Sequence, residues 1–291
     1  MRRGALLVLV LLAGCAGEAV LDAGSALTTS SPNSPSSSIP SSGEATTSEY
    51  LPGVEATVLL PADVRAAPLV VLVPGGAWLT ADPTGFQGLA RYLADAGVAA
   101  APVEVRAAED GVLYPTPIED VICAAAFAAD TARADGIEPD PVVVLGHSSG
   151  AHLAALAVLT WGEHTPACAQ PLVTPDALIG MAGTYDVSIL PDLALPLFGV
   201  SPEQDSELWE SGNPVSQASL RPEVPALLIH GDADDLVPVS FTTSMADALE
   251  SAGHPVTVEL VSGADHHQVY SAESSGHLIT TWVRQLARPA G

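Results

Sequence analysis

Apolar positions along this chain follow two alternating patterns. Short, nearly continuous apolar runs at residues 55–60, 69–73, 98–105, 142–145, 177–181, 226–230 and 256–261 have the length of strands, and the run at 142–145 reads as one covered on both faces. Between most of them lie longer stretches with helical spacing of apolar residues, at 85–96, 118–134, 151–159, 241–251 and 278–286. Strands alternating with helices predict an α/β domain whose mainly parallel sheet carries helices on both faces. In such sheets ligands bind beyond the carboxyl ends of the strands, so candidate chemistry is sought just after them.

The pattern changes at the N-terminus. Arg2 and Arg3 precede an apolar run over residues 5–13 that ends in Leu12-Ala13-Gly14-Cys15. This run is shorter than the roughly 20 apolar residues of a membrane span and ends in small residues, as an export signal does. Leu-Ala-Gly-Cys resembles the lipobox of bacterial lipoproteins, which implies cleavage after residue 14 and lipidation of the Cys15 thiol. From residue 17 to about 48 the chain is Ser, Thr, Pro, Gly and Ala with almost no large apolar side chain. Such a segment cannot bury a core and is expected to stay disordered. The expected organisation is therefore a signal over 1–14, a lipidated cysteine and tether over 15–49, and one folded domain over 50–291, exported and held at the cell membrane by Cys15. The folded part is long enough for a single large core.

Charge narrows the partners. The chain has no lysine, nine arginines, 34 acidic residues and a formal charge of -25, a field that repels nucleic acid and other polyanions. Beyond Cys15 only Cys123 and Cys168 remain, and in an exported protein they are candidates for one disulfide; two buried thiols that never meet is the alternative.

The stretch VVVLGHSSGAHLA is the first with a chemical meaning. An apolar strand turns directly into an Ala/Leu-rich helix through Gly146-His147-Ser148-Ser149-Gly150. The two glycines leave room for Ser148 to take a strained conformation with Oγ projecting from the sheet, the geometry of a nucleophile elbow. Serine needs a positioned base, itself oriented by an acid. Of the eight histidines, His266 and His267 stand in a short Gly-containing loop directly after the strand VTVELV, and the spacing Gly263-Ala264-Asp265-His266 favours His266. The acid should follow another strand. ALLIHGDADDLVP offers Asp232, Asp234 and Asp235, of which Asp234 matches the D-x-x-V-P run of this kind of fold. Ser148, Asp234 and His266 then follow the chain order of α/β-hydrolases.

An oxyanion also needs donors, and VLVPGGAWLTAD supplies glycines after the second apolar strand. Pro74-Gly75-Gly76-Ala77-Trp78, Gly146-His147-Ser148-Ser149-Gly150 with His152-Leu153-Ala154, Gly183-Thr184-Tyr185-Asp186 and His230-Gly231 leading to Asp234 together resemble the bacterial esterases related to hormone-sensitive lipase, feruloyl and acetyl-xylan esterases and kynurenine formamidase. The resemblance spans about residues 51–286. It implies an α/β-hydrolase fold with a small cap or none, and hydrolysis of carboxylic esters with short-chain or small aromatic acyl groups. It also implies an oxyanion hole made by the N–H groups of Gly76, Ala77 and Ser149. Two positions depart from the family pattern: Pro74 replaces a loop histidine, and Ser149 replaces the usual alanine after the nucleophile. Trp78 and Tyr185 would add aromatic surface near the nucleophile. No metal or organic cofactor is implied, since the histidines show no ligand pairing and no dinucleotide glycine fingerprint occurs. An amidase or peptidase would use the same triad, and a surface binding protein could keep the fold without activity. The intact serine, acid and histidine argue against the second, and the lack of a large gating segment against the first.

Overall fold

The computed structural model describes residue 43 and residues 45–287; the export signal, Cys15 and most of the expected tether lie outside them. The described chain opens with a hairpin, β1 (Thr46–Leu51) and β2 (Val54–Val58), paired antiparallel. It continues as β3 (Ala66–Val73), α1 (Gln87–Asp95), β4 (Ala99–Pro102), α2 (Thr116–Ala134), β5 (Glu138–His147), α3 (Ser149–Leu159) and β6 (Ala177–Met181). Three short helices follow, α4 (Pro191–Phe198), α5 (Ser206–Ser211) and α6 (Pro214–Gln217), before β7 (Ala226–Gly231), α7 (Ser240–Ala252), β8 (Val256–Val261) and α8 (His277–Leu286).

Strands β4-β3-β5-β6-β7-β8, in that order, form one sheet in which every pairing is parallel. Because side chains alternate across a strand, each strand feeds two cores. Leu69, Val71 and Val73 of β3 and Val142 and Val144 of β5 pack with α2, α3 and α7, while Val70 and Leu72 of β3 and Val143 and Leu145 of β5 pack with α1 and α8. Burial on both faces explains why the central strands read as unbroken apolar runs. The chain passes from β3 to β4 on one side and then returns to β5 on the other. A crevice therefore opens beyond the carboxyl ends of β3 and β5, the place such a reversal offers a ligand.

Several boundaries differ from the sequence expectation. The first described strand begins at Thr46, inside the segment read as tether, because Thr46, Thr47, Ser48 and Glu49 are exposed and are held by backbone pairing with β2, apolar burial starting only at Tyr50. Strand β5 starts at Glu138, where Glu138 and Pro139 pair with Ala66 and Ala67 of β3. Cys123 of α2 and Cys168 of the segment after α3 are joined by a disulfide, Cα atoms 5.1 Å apart. Among the described residues no helix is long and apolar enough to cross a membrane.

Candidate active site

The site is built from four loops, each at the carboxyl end of a strand. Ser148 stands between β5 and α3 with φ 55° and ψ -126°, a region costing an L-residue about 1–3 kcal/mol. The surroundings hold it there: its N–H donates to the Met181 carbonyl at 2.9 Å, and its carbonyl accepts from Ala151 N–H at 3.0 Å. The flanking glycines are required by contact. A Cβ on Gly146 would run into the Gly150 carbonyl, and one on Gly150 into the carbonyls of Val73 and Pro74. The elbow thus lies against the end of β3 with no room for a side chain on either glycine.

His266 is buried in the loop after β8, and its Nδ1 lies 2.8 Å from Asp234 Oδ2. Asp234 is supplied with donors on both oxygens. Oδ1 accepts from the N–H groups of Leu236 at 2.9 Å and Val237 at 2.8 Å, and Oδ2 also lies 3.2 Å from His230 Nε2. Burial raises the Asp234 pKa, but the Val237 N–H, His266 and the Leu236 N–H outweigh it and hold the carboxyl below its usual value. The carboxylate is therefore ionised at neutral pH. Asp232 is spent elsewhere, accepting from Gly263 N–H at 2.6 Å and so tying the acid loop to the histidine loop. His267 is exposed on the same pocket wall.

Two further histidines support this arrangement from outside it. His147 places Nε2 2.8 Å from the His266 carbonyl, and its ring packs against His266 and Tyr270 with centroids 4.6 Å away in each case. Burial, with the nearby His266 charge, pushes its pKa down to about 3, so the neutral ring donates Nε2–H to that carbonyl. His230 is fully buried, and desolvation lowers its pKa. Its Nδ1 lies 2.7 Å from Thr242 Oγ1, which leaves Nε2 to face Asp234 and the Val237 carbonyl. From the sequence, His147 lies in the elbow itself, where it either packs or supports the site from behind, and His230 ends a strand. A histidine ending a buried strand four residues before the acid was the one available signal for His230.

The loop after β3 carries strained backbone too: Gly76, Ala77 and Trp78 all have positive φ, at 151°, 54° and 59°. At Gly76 any Cβ would collide with the Thr80 carbonyl. The Trp78 indole N–H donates to His152 Nδ1 at 3.3 Å, and His152 Nε2 lies 2.9 Å from the Gly212 carbonyl. Burial pushes the His152 pKa down to about 3, which fixes one neutral tautomer for the relay: indole to Nδ1, Nε2–H to carbonyl. The Gly76 N–H donates to Ser149 Oγ at 3.1 Å. The amides of Ala77 and Ser149 have no hydrogen-bond partner among the described residues.

Ser148, Ser149, Gly76, Ala77 and His266 line one cavity of about 500 Å³. Its remaining wall is mainly apolar, from Trp78, Phe86, Leu193, Leu236, Val237 and Tyr270. Tyr185 is a correction: it is fully buried in the core and off this wall, its ring and hydroxyl filling the space beside Gly183 and Gly180 that side chains there would occupy. A second groove, about 560 Å³ and bounded by the β1–β2 hairpin, holds none of the Ser, Asp and His set. Among the described residues no group of three or more His, Cys, Asp or Glu side chains is arranged to hold a metal ion. A serine in a strained elbow, a histidine oriented by a buried carboxylate and two unpaired amides on residues lining the same cavity can together perform acyl transfer.

A profile of the BD-FAE family matches residues 57–249. The probable isoprenylcysteine alpha-carbonyl methylesterase ICME of Oryza sativa subsp. japonica is 27% identical over 220 residues, covering 71% of this chain and 53% of that protein. Esterase LipC of Mycobacterium tuberculosis is 28% identical over 243 residues, 77% of this chain and 60% of that protein. The chain thus spans little more than half the length of these curated relatives. Among solved structures, a truncated form of a carbohydrate esterase from gut microbiota superposes with TM-score 0.72 at 20% identity, covering 85% of this chain and 97% of that one. The propionate-bound esterase Est2 of Thermogutta terrifontis gives 0.67 at 20% identity, covering 87% and 98%. At these identities the superpositions show the fold.

Proposed function

The chain belongs to the BD-FAE family, with an α/β-hydrolase fold, and from that premise we propose that it is a carboxylesterase working through Ser148, His266 and Asp234. The observation that carries the proposal is the 2.8 Å bond from His266 to the buried Asp234, on the wall of the cavity that also receives Ser148. In the proposed cycle His266 takes the Ser148 proton as Oγ attacks the ester carbonyl. Amides of the loop after β3 and of Ser149 stabilise the oxyanion, and His266 protonates the departing alcohol. Water then repeats the sequence on the acyl-enzyme and frees the acid.

The substrate reading follows from the walls. The cavity is apolar and contains no Lys or Arg among its lining residues, so a neutral acyl group suits it better than an anionic one. From the three short helices between β6 and β7, only Leu193 reaches the wall, and it is 45% exposed. A wall of this kind encloses a short-chain or small aromatic acyl group and leaves a long chain in water. A series of 4-nitrophenyl esters of rising chain length, with matched anilides, tests this together with fluorophosphonate labelling of Ser148. The expected result is labelling, the highest kcat/KM on short or aromatic esters and slow anilide cleavage. A maximum at ten carbons or longer, or faster anilide cleavage, refutes the substrate reading, and a Ser148→Ala variant that still turns over refutes the site. The N-terminal sequence supports a second part of the proposal, that the enzyme is exported and anchored through lipidated Cys15 with residues before the hairpin as a tether. Wild-type protein should partition into detergent from a bacterial host, and equal partition of Cys15→Ser refutes the anchor.

A further inference from the structure

Of the two departures from the family pattern, Pro74 opens the loop after β3 and Ser149 makes a hydrogen bond to that loop. Proline supplies no side-chain donor or acceptor to its loop, so that loop must be held by something else. The structure shows what does so: the Ser149 hydroxyl accepts the Gly76 N–H at 3.1 Å, from a residue only 3% exposed. Ser149 also lines a small void with Pro74, Trp78 and Leu153, as well as the main cavity.

Resting on the esterase reading above, we propose that the Ser149 hydroxyl is the positioning group of the oxyanion loop. By taking the Gly76 N–H it fixes the loop to the first residue of α3 and leaves a hole of two donors, the Ala77 and Ser149 amides. The backbone supports this division. Gly76, Ala77 and Trp78 all sit at positive φ, and for Ala77 and Trp78 that region is sparsely populated, so the loop keeps its form only where tethers over-determine it. Trp78 is tethered at its indole by His152, and Gly76 at its amide by Ser149. Removing the hydroxyl leaves the Gly76 N–H without its acceptor and loosens the segment on the amide side of Gly76, whose carbonyl still accepts from Leu79 and Thr80. The Ala77 amide then shifts relative to Ser148, and the cost falls on the transition state, because the oxyanion forms only there.

The test compares wild type, Ser149→Ala and Ser149→Thr, the last keeping the acceptor. Three quantities are read: steady-state kinetics on 4-nitrophenyl acetate, inhibition by a trifluoromethyl ketone whose adduct on Ser148 carries an oxyanion, and NMR hydrogen exchange at the Gly76 amide. Ser149→Ala should lower kcat by about ten- to a hundredfold, less than outright loss of a donor, with KM nearly unchanged. Ketone affinity should fall by the same factor, Gly76 exchange should accelerate, and Ser149→Thr should recover most of all three. A Ser149→Ala enzyme at or above wild-type kcat overturns the proposal, since Gly76 would then serve the oxyanion once freed. Equal losses in the Ala and Thr variants overturn it as well, by assigning the effect to side-chain volume. If wild type turns over no ester while its Gly76 amide is protected by Ser149, the esterase reading fails and the tether stands.

Discussion

Replacing Asp234 by Asn removes one charge and almost no volume, and the structure determines how the amide must lie. Oδ1 of Asp234 accepts two backbone N–H groups, from Leu236 and Val237, while Oδ2 faces His266 Nδ1 at 2.8 Å and His230 Nε2 at 3.2 Å. An asparagine NH2 turned toward the two backbone donors would leave both unpaired, so the amide oxygen takes that side and the NH2 faces His266. A donor there forces His266 Nδ1 to accept, and the ring proton moves to Nε2, where it blocks proton transfer from Ser148. The carboxylate is also lost as a counter-charge to the imidazolium of the transition state. With its side chain fully buried, that pair is poorly screened: at about 4 Å and an effective dielectric near 20 it is worth about 4 kcal/mol, or three powers of ten in rate. The wrong tautomer adds to this, so kcat/KM for a 4-nitrophenyl ester should fall by about 10³–10⁴. Asp235→Asn, at an exposed neighbouring position, is the control and should stay near wild type. A loss below about tenfold in Asp234→Asn, or a larger one in Asp235→Asn, refutes the assignment of the acid, because no orienting carboxylate is worth so little.

Two predictions concern stability. The Cys123–Cys168 bond closes a separation of 45 residues, so a Cys123→Ala/Cys168→Ala variant should lose about 4 kcal/mol in urea unfolding, and oxidised protein unfolded without reductant should show neither thiol; an unchanged midpoint refutes the constraint. His147 and His152 have folded pKa values of about 3 against the ordinary 6.5, so the unfolded chain binds more protons as pH falls below 6.5, and stability is present above that value and lost toward pH 3. Each can contribute a slope of up to about 1.4 kcal/mol per pH unit in that window, and urea midpoints that do not fall between pH 7 and 4 contradict the neutral, buried state of both rings.

What the sequence made legible was whatever burial or local backbone dictates. Central strands covered on both faces leave unbroken apolar runs, and the elbow and the loop after β3 need glycines that any side chain would displace. What it hid depends on contacts between distant residues. The first four residues of β1 have the composition of a linker, and only their pairing with β2 makes them a strand. Tyr185 follows β6 in the same loop as Thr184, yet only Thr184 reaches the cavity wall, since the space beside Gly180 and Gly183 draws the Tyr185 ring into the core. Phe86 and Tyr270 pack edge to face at 5.4 Å on the cavity wall from segments 184 residues apart in sequence, and neither has a local motif to announce it. Of the three acids after β7 the D-x-x-V-P run singles out Asp234, but no sequence pattern shows their partners, which are Gly263 for Asp232 and His266 for Asp234.

Helix α3 gives the site its coherence. Its N-cap is Ser148, its first residue accepts the Gly76 amide, and His152, on its next turn, holds the Trp78 indole. The nucleophile and the two side-chain clamps on the oxyanion loop therefore belong to one short helix whose residues from Ser149 to Leu159 are all buried, while the amides of Ala108 and Glu109 hold the Trp78 and Leu79 carbonyls from the other side. Donor and nucleophile positions are then coupled through one rigid element rather than left to two loops moving independently. Such preorganisation is what a transition-state hydrogen bond requires, because the donors need not reorient as charge develops. The positive φ values of Ser148, Ala77 and Trp78 fit the same account. Strain at each is offset by packing around α3, so loosening that helix in its first two turns should cost catalysis well before it costs the fold.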